Sequence, residues 1–97
     1  MASSYDKRIF IFEIKYSQMD IYTFVFYSKN LKLTQYDFKK ALKQTFIKLM
    51  QKYNKKNPYE LLRIRSFFND FYNEMNRIGF GKVNPTYLTS NEIFREL

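Results

Sequence analysis

Lysine is the residue whose number and placement in this sequence most clearly suggest a chemistry. Residues 29–56 carry Lys29, Lys32, Lys39, Lys40, Lys43, Lys48, Lys52, Lys55 and Lys56 against one acid, Asp37. That stretch holds the whole formal net charge of +8, because the remaining residues contain eight basic and eight acidic side chains. Charge concentrated in this way is what an anion-binding face produces. Lysine ammonium groups are flexible point charges rather than bidentate forks, so they suit phosphate contacts better than base edges. Arginine, the usual reader of guanine, is absent from the stretch. The expected ligand is therefore nucleic acid, DNA or RNA, held with little sequence specificity. Its expected contacts are Lys39, Lys40, Lys43, Lys48, Lys52, Lys55 and Lys56. The competing expectation is a solvated lysine face in a chain rich in Lys, Asn, Tyr, Phe and Ile, the usage of an AT-rich genome.

A second group is Asp70 and Glu74. Two carboxylates four residues apart on a helix could hold a divalent cation or act as an acid and base pair. Glu74 can instead pair with Arg77, and Asp70 is expected among solvated neighbours. The chain has no histidine and no cysteine, so the commonest general base, the thiolate nucleophile and the usual transition-metal ligands are all missing. Gly79-Phe80-Gly81 lacks the rest of a phosphate-binding loop and is expected to be a helix stop and turn. The expectation is a protein that is not an enzyme and has no metal site and no cofactor.

The elements that carry these residues follow from periodicity. In residues 8–16, Phe10, Phe12, Ile14 and Tyr16 alternate with Ile9, Ile11, Glu13 and Lys15, as in a strand with one apolar face. Residues 21–28 alternate again, with Tyr22, Phe24 and Phe26 opposed to Ile21, Thr23, Val25 and Tyr27. A hairpin joined at Ser17–Asp20 follows, and Leu31-Lys32-Leu33 is expected to extend the pairing briefly. Thr34 reads as a helix cap, with Asp37 three residues on. The basic helix it opens, within residues 34–54, places Phe38, Ala41, Leu42, Thr45, Phe46, Leu49, Met50 and Tyr53 on one stripe. Lys40, Lys43, Lys48 and Lys55, with Gln44 and Gln51, line its polar side, Lys39 and Lys52 flank it, and Ile47 stands among them.

Asn57-Pro58-Tyr59-Glu60 signals a second helix start. Leu61, Ile64, Phe67, Phe68, Phe71, Tyr72, Met75 and Ile78 predict one amphipathic helix from Pro58 to about Ile78, within residues 57–79. Residues 80–97 read as a loop or edge strand followed by a short helix from Ile93. The expected fold is α+β: an N-terminal antiparallel hairpin spanning residues 8–33, with a possible third edge strand, packed on two long amphipathic helices.

Ninety-seven residues, 45% of them apolar and 21% aromatic, supply the core of one domain over residues 1–97 and no more. The missing cysteines favour a reducing, cytoplasmic setting, and no run approaches the roughly 18 apolar residues of a membrane span. The outer hairpin face keeps Ile9, Ile11, Ile21, Val25 and Tyr27. So apolar a face predicts a partner, either a second copy in a homodimer or another protein. The alternative function is accordingly a protein-interaction module or inhibitor, of the kind that a phage or mobile element directs at a host nucleic-acid-handling protein. Exposed Tyr16, Tyr22 or Tyr27 could also stack on unpaired bases.

Overall fold

A computed structural model describes residues 9–83. Its element order is β1 (Ile9–Lys15), β2 (Ile21–Ser28), α1 (Gln35–Lys52), α2 (Pro58–Leu61), α3 (Arg65–Ile78) and β3 (Phe80–Lys82). The class is α+β, as the alternation and the helical stripes predict. The strands form one antiparallel sheet in the order β1-β2-β3, so the expected third edge strand is present and β2 is central. The expected short terminal helix lies outside the described residues.

The β1–β2 register opposes Phe10 to Phe26 and Phe12 to Phe24, which puts an aromatic at every second position on one face. Rings of that size need more cover than one helix offers. α1 lies over β1, with Phe38 stacked on Phe10 at 4.9 Å and Phe46 edge-on to Phe12 at 5.7 Å. α3 lies over β2, where Phe71 meets Phe24 at 5.0 Å. Phe46 and Phe71 join the two helices at 5.2 Å between centroids. Phe26, Phe38, Phe67, Phe71 and Phe80 are almost wholly shielded from solvent.

Local signals start and stop these elements. The Thr34 hydroxyl accepts from the Asp37 N–H, and the Asp37 carboxylate accepts from the Thr34 N–H, which closes a capping box on α1. α1 ends where Asn54 takes a left-handed conformation (φ 54°) and the Lys55 N–H reaches back to the Met50 carbonyl at 2.8 Å. Gly79 closes α3 at φ 132°, a conformation that side-chain-bearing residues rarely adopt, and turns the chain directly into β3.

Two sequence expectations are corrected. Leu31-Lys32-Leu33 does not extend the hairpin. It forms a turn in which the Lys32 N–H bonds to the Asn30 side chain and the Leu33 N–H to the Asn30 carbonyl, while Leu33 packs on the core. The helix expected from Pro58 to Ile78 is broken at residues 62–64, where hydrogen bonds shift to three-residue spacing and Ile64 is extended (φ −97°, ψ 116°). Leu62 explains the break. On a continuous helix at about 100° per residue it would point opposite to Phe67, Phe71 and Met75, into solvent. The break lets both Leu61 and Leu62 be buried.

Phe71 is fully buried and touches both α1 and the sheet from α3, so Phe71→Ala should cost about 3–5 kcal/mol in urea denaturation. Thr34→Ala, which removes only the α1 cap, should cost about 1 kcal/mol.

Candidate nucleic-acid interface

The lysines of α1 divide into three groups when the helix is docked. Its apolar stripe faces the sheet through Phe38, Ala41, Leu42, Thr45, Phe46 and Leu49. Successive residues advance by about 100°, so Lys48 and Lys52 fall on the flank toward α3, and Lys39 and Lys43 on the flank toward β1. Lys40 lies between them on the outward side, with Ile47.

Lys48 and Lys52 are committed to acids of α3. Lys48 Nζ lies 3.0 Å from Glu74 Oε1, and Lys52 Nζ 2.8 Å from Asp70 Oδ2. Arg77 also donates to Glu74. Tyr53 donates to Asp70, and its hydroxyl lies 2.7 Å from that of Ser66. Asp70 is therefore not among solvated neighbours, as its sequence position implies, but at the centre of this network. Both carboxylates are held below their ordinary range. For Asp70 the cause is hydrogen bonding first from Lys52 and then from Tyr53. For Glu74 the donors are Arg77 first and then Lys48, and its pKa falls to about 2. The pair works as an interhelical clamp. Among the described residues, no three His, Cys, Asp or Glu side chains gather as a metal ion would require.

Lys39, Lys40 and Lys43 are exposed and form no ion pair among the described residues. Tyr36 is on the same side of the helix, three and four residues before Lys39 and Lys40, and is 73% exposed. Side chains at those spacings are neighbours on a helix surface. Lys55 and Lys56 are exposed in the connection after α1. They stand beyond the far end of a helix about 27 Å long, so they belong to a separate patch. The seven lysines expected to act together thus reduce to one local cluster of three. The sequence reading overlooked Tyr36, although its place off the apolar stripe was a usable signal.

The tyrosines named as base-stacking candidates are engaged within the fold. The Tyr16 hydroxyl accepts from Arg63 Nε at 2.6 Å, and the guanidinium lies 5.6 Å from its ring. Tyr22 packs on Phe68 at 5.9 Å. Tyr27 covers Gly81, where an added Cβ would sit 2.5 Å from the ring.

The outer hairpin face is also less open than its composition suggests. Val25 is buried between its neighbours, pairing with Ile11 on β1 and accepting from the Val83 N–H at 2.9 Å. Ile9, Ile11 and Tyr27 are half-buried, and Ile21 remains 50% exposed. The five residues therefore do not form one exposed apolar patch. No helix among the described residues is long and apolar enough to cross a membrane. Comparison with protein-family models, curated proteins and solved structures finds no match to this chain.

Because the Glu74 pKa is lower in the folded chain than in the unfolded one, its contribution is full above its ordinary value of 4.5 and is lost as pH falls toward about 2. Glu74→Gln should be less stable than the parent above pH 4.5, and the two should converge at the acid end of that interval. Denaturation midpoints measured across the interval test this, and a constant difference would assign Glu74 a purely steric role.

Proposed function

We propose that this chain binds single-stranded nucleic acid through the outward side of the first half of α1. The observation that carries the reading is an exposed aromatic, Tyr36, beside three exposed lysines that form no ion pair among the described residues. An aromatic platform set among cations suits a strand whose bases are free to stack and whose phosphates run alongside. Lysine sets no base-edge geometry, so affinity should vary little with sequence. The acids of α3 turn the second half of the helix inward upon itself electrostatically, which leaves the first half as the more attractive surface for an anion.

The test is fluorescence anisotropy with short labelled DNA and RNA oligonucleotides, single- and double-stranded, over a range of salt. Three phosphate contacts on a single strand imply a log–log salt slope of about −2. Replacing Lys39, Lys40 and Lys43 by Gln should abolish most of that slope, whereas Lys48→Gln with Lys52→Gln should leave it nearly unchanged. Tyr36→Ala should weaken single-strand binding by about 1–3 kcal/mol and affect duplex binding much less. Absence of binding at low salt, or equal losses from the two lysine sets, would overturn the reading.

A further inference from the structure

β1 is an edge strand, and its outer side has no partner among the described residues. Exposed edges are normally blunted by charge, proline or a bulge, because their free N–H and C=O groups recruit other strands. The first four residues of β1 are Ile-Phe-Ile-Phe, and its two charges, Glu13 and Lys15, come only at the far end. Beside this edge, between β1 and α1, runs an open groove of about 390 Å³. Phe12, Phe38, Leu42 and Phe46 make its apolar floor, and Lys39 and Lys43 stand on its rim.

We infer that this edge is a docking site for an extended segment of a partner protein, which adds as a fourth strand beside β1. Backbone pairing would supply affinity, and alternate side chains would enter the groove. The rim selects the chemistry. Lys39 and Lys43 lack acidic partners among the described residues, so the segment carries Asp or Glu where it passes under α1. The same charges disfavour a second copy of this chain. Two-fold pairing of β1 with its counterpart would bring both α1 flanks together and set Lys39 and Lys43 of one copy toward those of the other.

The groove shares Lys39 and Lys43 with the proposed nucleic-acid surface, and the two sites are told apart by the residues they do not share. Tyr36 and Lys40 point outward from α1, away from the groove, while Ile11 is on the edge and away from Tyr36. The experiment uses two short synthetic peptides with alternating isoleucine. One carries glutamate at the other positions, and the second carries lysine. Each is titrated into the isotope-labelled full chain and followed by amide shifts and hydrogen exchange. The acidic peptide should shift and protect the amides of residues 9–15, and the basic peptide should not. Lys39→Gln with Lys43→Gln should weaken the acidic peptide several-fold. Ile11→Lys, which places a charge on the edge, should remove its binding while oligonucleotide binding persists. Tyr36→Ala with Lys40→Gln should do the reverse. Three results would each overturn the site: equal binding of both peptides, protection of the whole β1 edge in the free monomer by another segment of the same chain, or dimerisation through β1 that excludes the acidic peptide.

Discussion

Between the sheet and the helices lies a layer of phenylalanine rings, and the remaining structure is arranged around covering it. Phe10, Phe24 and Phe26 project from one face of the strands, while Phe38, Phe67 and Phe71 descend from the helices to meet them. Ring centroids 4.9 to 5.8 Å apart link Phe10 to Phe38 and Phe26 to both Phe38 and Phe71, in stacked, tilted and edge-on arrangements. Such pairs add modest directional attraction to a large burial of apolar surface. The layer is wider than one helix. α1 therefore takes the β1 side and α3 the β2 side, and the chain must reverse between them through the Asn54 turn and the broken segment before α3. Leu62 enters the core only because of that break.

Docking the helices side by side also decides what the charges do. Asp70 and Glu74 come opposite Lys52 and Lys48, so two of the nine lysines in a stretch that looks uniformly cationic in one dimension are paired in three. Exposed ion pairs of this kind contribute little individually. Their greater consequence is spatial, because they remove two ammonium groups from the surface available to an external anion. The excess charge is left on Lys29 and Lys32 before α1, around Tyr36 in its first half, and on Lys55 and Lys56 after it.

The two sides of the sheet are finished differently. β3 covers part of the β2 edge, with Tyr27 folded over Gly81 in place of the missing side chain. β1 has no such cover among the described residues, and its apolar start borders a groove rimmed by lysine. Lys39 and Lys43 stand both at that rim and in the cluster around Tyr36, so the two proposed surfaces overlap on one flank of α1 and differ in what else they use.

What the amino-acid order determined by itself was local. Alternation at Phe10, Phe12 and Ile14 and again at Tyr22, Phe24 and Phe26 marks the strands. Thr34 with Asp37 starts α1, and Gly79 ends α3. These features are legible because they depend on periods of two and 3.6 residues and on caps within four residues of one another. The tertiary structure decided the rest: that Val25 is buried on the outer face, that Leu62 breaks a helix whose stripe continues through it, and that Lys48 and Lys52 form ion pairs with α3 while Lys39, Lys40 and Lys43 form none. Each of these depends on contacts between residues far apart in the chain, 18 residues for Lys52 with Asp70 and 26 for Lys48 with Glu74. Periodicity shows which side of a helix a residue occupies, but which element comes to lie against that side is set by how the aromatic surfaces cover one another.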